Sequence, residues 1–226
     1  MFIGHFAPAF VAAAVSPERP RLATMFVAGQ LVDWGFFTLA LVGAEHMRID
    51  PGASAMVPFD LYDMPYTHSL LGTAIWAAAF CGIVALWRRD LALGVLSGLV
   101  ALSHWLLDWL VHVPDLTLDG TPPKLGLGLW DWPWVAMPLE LLLTGGAFVF
   151  FMRRTRGPLG PPLVLAGSML LFQTVNWFAP HPESAGVFLY VQALFAFGVL
   201  TGIAAWVGEN RWFSQTRRLG LVRPMI

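Results

Sequence analysis

Three ionisable side chains lie at four-residue spacing within one apolar stretch, residues 91–114. They are His104, Asp108 and His112, and on an α-helix this spacing places all three on one face. An Asp in the middle of a membrane-crossing helix costs about 2.5–3.5 kcal/mol on insertion scales, so it needs a partner inside the protein. Two imidazoles beside a carboxylate are a common ligand set, which predicts a metal site on this helix.

The ligand types indicate which metal and which chemistry to expect. Imidazole and carboxylate ligands without thiolate suit a divalent ion, with zinc first and manganese or iron as alternatives. The single cysteine, Cys81, lies within an apolar run, so neither a disulfide framework nor a Cys-based zinc site is expected. In hydrolytic sites such ions activate a bound water and hold the oxygens of a phosphoester.

The composition defines the class of protein in which this site must be built. Of the 226 residues, 57% are hydrophobic and 12% are charged, and the mean hydropathy is +0.66. These values predict an all-α integral membrane bundle whose surroundings are the lipid bilayer. The net charge is close to zero and no basic patch lies outside short connectors, so nucleic acid is not an expected partner.

Charge, Pro and Gly divide the chain into seven apolar segments, of which the first is short enough to be re-entrant. We therefore expect about six to seven transmembrane segments in a single polytopic domain over residues 1–226. The segments are 1–15, 22–45, 69–87, 91–114, 133–152, 162–179 and 186–208.

Basic residues alternate with acidic residues from one connector to the next. Connectors 16–21, 88–90 and 153–158 and the C-terminal tail are rich in Arg, whereas the other connectors hold only Arg48 and Lys124 against many acids. By the positive-inside rule, the Arg-rich connectors and the C-terminus are cytoplasmic. The predicted location is a bacterial inner membrane, with loops 46–67 and 115–132 on the outer side.

This topology places several ionisable residues in the outer half of the bilayer together with the helical stripe. Any one of them alone could be a structural polar residue bonded to a neighbouring helix, but their convergence favours a functional polar cavity. Loop residues His46 and His181 are expected to be solvated, while Asp63 and Glu140 are candidates for the catalytic base that activates water. The predicted metal ligands are His5, Asp33, His68, His104, Asp108 and His112.

Several short motifs occur in the order seen in one family. They are GHFAPAF with His5, Asp33 in the second segment, YTHS with His68, and SHWLLD with His104 and Asp108. Over roughly its first 115 residues the chain resembles bacterial membrane-bound metal-dependent hydrolases, a group also described as LexA-binding inner-membrane hydrolases. The resemblance implies a helical membrane domain with a metal centre distantly similar to that of zinc-dependent phospholipase C. It also implies that these five residues are ligands or their close supports.

The chain departs from that family at two places. The family commonly has a paired Asp-x-Asp after the second segment, whereas Trp34 and Gly35 follow Asp33 here. The family also has a His-Arg pair ahead of its THS element, whereas Asp63 and Met64 occupy those positions. The missing Arg removes a phosphate contact.

Two hypotheses follow from these observations. The first is a metal-dependent hydrolase that acts on a phosphoester or a lipid-like substrate from a cavity open to the periplasm. The alternative is a non-catalytic subunit of a larger membrane complex, with partner subunits, that binds a metal, a haem or a pigment. Asp33 and Asp108 discriminate between them, because a hydrolytic site needs carboxylates beside the imidazoles and a pigment pocket does not.

Overall fold

The computed structural model describes residues 1–214, and within them eight α-helices form a bundle. Two short antiparallel ribbons lie in the connectors: β1 (His46–Ile49) pairs with β2 (Phe59–Asp63), and β3 (Thr155–Arg156) pairs with β4 (Trp212–Phe213). The predicted all-α class is confirmed. The helices are α1 Phe6–Val15, α2 Leu22–Gly29, α3 Leu31–Leu41, α4 Leu70–Arg88, α5 Leu91–Val111, α6 Pro133–Arg154, α7 Gly160–Phe178 and α8 Val187–Glu209.

The number of apolar spans is smaller than predicted. Helices α4, α5, α6 and α8 are each long and apolar enough to cross a membrane, and α2 with α3 makes a fifth span if the bent pair counts as one. The structure therefore supports a membrane protein with four or five apolar spans instead of six to seven. Helix α1 is too short to cross, and Pro161, Pro162, Gln173 and Asn176 make α7 less apolar.

Helices α4 and α5 form a tight antiparallel hairpin. Ser69 caps α4 by accepting a hydrogen bond from the Gly72 amide, and Asp90 caps α5 by accepting one from the Leu93 amide. The two helices approach closely at Gly94, where an added Cβ would lie 2.7 Å from the Cys81 carbonyl oxygen. Small residues at such a crossing allow membrane helices to pack backbone against backbone.

The Arg-rich connectors within the described residues meet at one end of the bundle. Arg211, next to β4, donates hydrogen bonds to Thr155 and to the Pro158 carbonyl. Burial lowers the pKa of Arg21, and the nearby positive charge of Arg88 lowers it further. The tail residues Arg217, Arg218 and Arg223 and the C-terminus itself lie outside the described range.

The acidic loops meet at the opposite end. The Leu70 and Leu71 amides donate to the carbonyls of Thr117 and Leu118, and Lys124 Nζ donates to the Tyr62 carbonyl. Loops 46–67 and 115–132, which the charge pattern places together, therefore pack against each other. The Arg-rich connectors and the acidic loops, which alternate along the sequence, therefore lie at opposite ends of the bundle.

The second predicted segment is broken. Helices α2 and α3 meet at Gln30 with a bend of 53°, and α1 packs beside α2 in the hydrophobic core. Gly29, the last residue of α2, lies so close to the first turn of the chain that an added Cβ would be 2.6 Å from the His5 carbonyl oxygen. Only a residue without a side chain permits this approach, which places the first turn of the chain, with His5, beside the junction that leads into α3 and Asp33.

We expect Gly29→Ala to destabilise the protein by about 1–3 kcal/mol, because the methyl group meets a backbone carbonyl that cannot rotate away. The control is Gly202→Ala in α8, where nothing lies within 4 Å of the added methyl group. That change should be neutral or stabilising by up to about 1 kcal/mol, since it removes a helical glycine. Thermal unfolding midpoints in one detergent would test this, and equal midpoints would contradict the close approach.

Candidate metal centre

The carboxylate of Asp108 is the centre of the polar cluster. Its side chain is buried, and Oδ1 lies 3.0 Å from His5 Nε2 and 3.3 Å from His112 Nε2. Its other oxygen, Oδ2, lies 3.0 Å from His104 Nε2. The α-amino group of Met1 also donates to Oδ1, at 2.9 Å. Three imidazoles, one from the first turn of the chain and two from α5 and its C-cap, thus point the same type of ring nitrogen at one carboxylate.

Asp33 forms the centre of a second group that overlaps the first. Its Oδ1 lies 3.4 Å from His68 Nε2 and 3.6 Å from His104 Nε2, so His104 belongs to both groups. The bend before α3 places Asp33 in the first turn of that helix, where its side chain retains 18% exposure. Asp33 is thus a less enclosed carboxylate than Asp108.

The ring of His68 is oriented by a chain of hydrogen bonds. Glu45, which is buried, accepts hydrogen bonds from the amides of Tyr66 and Thr67 and from the Thr67 hydroxyl. Since that hydroxyl donates its proton to Glu45, it can only accept from His68 Nδ1, 2.8 Å away. Nδ1 of neutral His68 therefore carries the proton, and Nε2 presents a lone pair.

The rings of His104 and His112 are oriented in the same way. His104 Nδ1 lies 2.9 Å from the Gly29 carbonyl oxygen, and His112 Nδ1 lies 2.9 Å from Asp115 Oδ1. Because a carbonyl and a carboxylate only accept, both Nδ1 atoms must donate. His112 is the residue that caps the C-terminus of α5 instead of continuing the helix, yet its Nε2 still faces Asp108.

The first turn of the chain is held in place by Glu140 and Gln173. Glu140 Oε1 accepts from the Phe2 and Gly4 amides, and Oε2 accepts from Gln173 Nε2. Gln173 Oε1 in turn accepts from the Ile3 amide. These contacts position His5, whose ring stacks on that of His104 with the centroids 3.7 Å apart.

The donor set fits a divalent metal. Two groups, His5–His104–Asp108 and Asp33–His68–His104, each offer three ligand atoms within 4.8 Å of one another. His5 Nε2 and His104 Nε2 are buried and make no well-aligned hydrogen bond within residues 1–214, although both lie 3.0 Å from Asp108. Buried polar atoms in native proteins are rarely without a partner, so these two call for one.

A cavity of about 450 Å³ lies on one side of the cluster. It is enclosed by α3, α7, α8 and the loop that contains β1 and β2, and its lining is mostly apolar. At one end the wall is formed by the polar side chains of Asp33, His68, Asp108, His112 and Glu140. The cluster is therefore open on one side to a compartment of the size that small-molecule ligands occupy.

The structure brings all six predicted ligands together but separates one predicted base from them. Asp63, in β2, pairs with His46 at 2.7 Å and does not line the cavity, so the structure places this predicted base apart from the predicted ligands. Glu140 does border the cavity, but its two oxygens hold the first turn of the chain. His181 lies in a loop against the ring of Phe59, where burial lowers its pKa.

Three residues that orient the rings of His68 and His112 were missed by the sequence analysis. Thr67 is adjacent to His68, and Asp115 follows His112 by three residues, so local spacing carried a signal for both. Glu45 had no such signal, because it lies 22 residues from Thr67 in the chain.

Comparisons with family models, with curated proteins and with solved structures find no match for this chain.

Thr67→Val should destabilise the protein by about 1–3 kcal/mol, because it leaves His68 Nδ1 and a Glu45 oxygen buried without partners. The matched control is Thr174→Val on the exposed face of α7, where the hydroxyl bonds only to its own helix at Leu170. That change should stay within about 0.5 kcal/mol. Urea or thermal unfolding in detergent measures both, and equal losses would show that the hydroxyl does not orient His68.

Proposed function

We propose that the His/Asp cluster binds a divalent metal ion and that the protein is a metal-dependent hydrolase of the membrane. One observation carries the proposal. The Nδ1 atoms of His68, His104 and His112 all donate to oxygen acceptors, so in the neutral rings Nε2 carries the lone pair, and these three Nε2 atoms face the carboxylates of Asp33 and Asp108.

The α-amino group of Met1 supplies one positive charge, at Asp108 Oδ1. The Nε2 atoms of His68 and His104 face Asp33 Oδ1 and Asp108 Oδ2 instead, and there a lone pair and a carboxylate repel each other unless a further positive charge lies between them. Protonating the rings would place several imidazolium ions side by side in a buried site, which is costly. A metal cation satisfies lone pairs and carboxylates together. Commitment of the remote ring nitrogen to an oxygen acceptor is also the usual state of a metal-bound histidine.

The ligand set favours zinc, with manganese or iron as alternatives. Its atoms are imidazole nitrogens and carboxylate oxygens without thiolate, which is the chemistry of these ions. His104 is shared between the two groups, so the cluster offers places for one ion or for two adjacent ions.

The open side of the cluster favours catalysis over a purely structural metal. Structural zinc sites are closed by protein ligands, whereas catalytic sites keep a position for water or substrate. Asp33 and His68 both line the cavity and also belong to the cluster. When bound, a divalent ion at this place would lower the pKa of a water and neutralise charge on a phosphoester oxygen.

The side chains would then divide the work. Both ring contacts of Asp33 go to its Oδ1. Since Asp33 also lines the cavity, its Oδ2 would be the oxygen that takes a proton from water. Asp108, surrounded by imidazoles, would hold charge and keep the rings in place. Glu140 acts at a distance by holding the first turn of the chain, and is therefore a positioning residue.

The non-catalytic alternative differs from the hydrolase hypothesis only in its prediction for turnover. A metal-binding subunit of a larger complex would share the ligand set but would hydrolyse nothing. A haem or pigment between His5 and His104 is disfavoured, because the two rings stack at 3.7 Å and leave no space for a macrocycle between them.

The proposed location is a bacterial inner membrane with the cluster in its outer half. The segregation of Arg-rich connectors from acidic loops supports this orientation through the positive-inside rule. The acidic end also carries the hairpin that covers the cavity, so substrate would be handled on the periplasmic side.

Cysteine labelling tests the orientation. In a Cys81→Ala background, we expect Ala55→Cys to react with a membrane-impermeant maleimide from the outer side and Leu159→Cys to react only from the inner side. Both positions are exposed and neither change alters a charge, so the topology signal is preserved. Labelling of the two cysteines from the same side, or from the reverse sides, would contradict the proposed orientation.

Metal content and activity test the site itself. Asp108→Asn and His104→Ala should each lower bound metal by at least about tenfold, since removing one ligand costs more than removing a supporting contact. His181→Ala, in a loop and outside both ligand groups, is the control and should keep wild-type content. Elemental analysis of the purified proteins gives the result, and equal content in all three would mean that the cluster is a packed polar seam.

Activity assays on the same preparations distinguish a hydrolase from a non-catalytic binding subunit. The wild type should hydrolyse phosphodiester lipids, lose activity with a chelator and regain it with zinc or manganese, while Asp108→Asn should remain inactive. A metal-replete wild type that is inert on phosphomonoester, phosphodiester and carboxylic ester lipids would replace the hydrolase proposal with the binding-subunit hypothesis.

A further inference from the structure

The cavity has a polar end and an apolar body. Beyond the cluster, its wall consists largely of phenylalanine and methionine side chains. Methionine is unbranched and flexible, so a wall rich in it adapts to ligands of varied shape. The wall residues of these two types include Phe37, Phe172, Phe197, Met47, Met56 and Met64.

The cavity opens through the side of the bundle. Leu171 and Val175, one turn apart on α7, and Phe195 on α8 line the cavity, yet they are 61%, 42% and 66% exposed. All three lie within the interior of their helices, away from the connectors. Residues that line the cavity and are also exposed mark its mouth, so the mouth opens on the side of the bundle, beside the apolar span α8.

We infer that the cavity receives a hydrocarbon chain of a bilayer amphiphile. The hydrocarbon chain passes sideways between α7 and α8 and brings the polar head of the same molecule against Asp33 and His68. The identification of this amphiphile as the substrate rests on the proposed hydrolase function. The binding of its hydrocarbon chain does not.

The shape and polarity of the cavity favour this occupant over a water-soluble ester. A small polar substrate would reach the cluster from the aqueous side and would leave the apolar body of the cavity without a role. An amphiphile matches both ends, since carboxylates and imidazoles face its head and aromatic rings and thioethers face its chain. The wall also contains the side-chain amides of Asn176 and Gln192, which can donate to ester carbonyls between chain and head.

The hydrocarbon chain of the bound amphiphile contributes more to the positioning of the ester bond than to binding affinity. It exchanges the apolar bilayer for an apolar cavity, so little hydrophobic free energy is gained on entering. Its effect is to hold the ester bond at the cluster, and fixing a reacting group in this way can lower the barrier substantially.

Photo-crosslinking tests the inference on the full chain. The protein would be placed in phosphatidylcholine nanodiscs containing a phosphatidylcholine with a diazirine in the middle of one acyl chain, irradiated and mapped by mass spectrometry. Phe36 is the diagnostic residue, because it lines the cavity but is only 2% exposed. Leu163, exposed on α7 and away from the cavity, reports ordinary contact with the surrounding lipid.

We expect label at both Phe36 and Leu163 in the wild type. Ala196→Trp, which fills the cavity from α8, should lose the label at Phe36 and keep it at Leu163. The matched control is Ala79→Trp on the exposed face of α4, which should keep both. If Ala196→Trp does not fold, Ala193→Phe fills the same wall with a smaller ring, and the wild-type pattern alone still decides.

Each outcome separates the inference from the proposed function when metal is measured on the same samples. Label at Leu163 without label at Phe36, in protein that holds metal, would overturn the binding of a hydrocarbon chain. It would not contradict the proposed metal site. Label at Phe36 that survives Ala196→Trp would also overturn it. Label at Phe36 in protein that takes up no metal would support chain binding and would overturn the hydrolase.

Discussion

The structure depends on one constraint, which is that the carboxylate of Asp108 is buried on a long apolar helix. An unpaired charge there is costly, and the fold supplies partners from distant parts of the chain. His104 and His112 come from the same helix and its cap, whereas His5 comes from the first turn of the chain. No local segment can provide this environment, because the partners meet only when several helices have packed. The charge thus links formation of the site to formation of the bundle.

Two departures from regular helical structure serve this arrangement. Helix α1 is too short to cross a membrane, and His5, which immediately precedes it, lies within the cluster. The bend at Gln30 lets Asp33 approach from another direction, and the Gly29 carbonyl orients His104 at the same place. Straight, full-length spans would have kept these groups on separate helix faces. The lower span count and the site are therefore two results of the same geometry.

The features that could be predicted from sequence are the ones that periodicity and depth encode. The long apolar helices, the spacing of His104 and Asp108, and the segregation of charged connectors all follow from local pattern. The bend at Gln30, the Glu45 support of His68 and the pairing of Asp63 with His46 depend on contacts between distant residues, which no pattern along the chain encodes. Helix α7 shows the limit most clearly. Gln173 lowers its hydropathy, and this same residue holds the first turn of the chain, so the weak signal came from a residue that serves the site.

The relation between the cluster and the cavity bears on what the cluster is for. If the four histidines and two aspartates of the cluster served only to bind a structural cation, the best arrangement would close around the ion and exclude everything else. Here Asp33 remains partly exposed and shares a wall with the apolar body of the cavity. A polar centre that is kept open toward an apolar cavity is costly for stability, since it leaves charged groups beside apolar surface. Such a cost is typical of functional sites. It has a reason when the molecule that fills the cavity is itself polar at one end and apolar at the other.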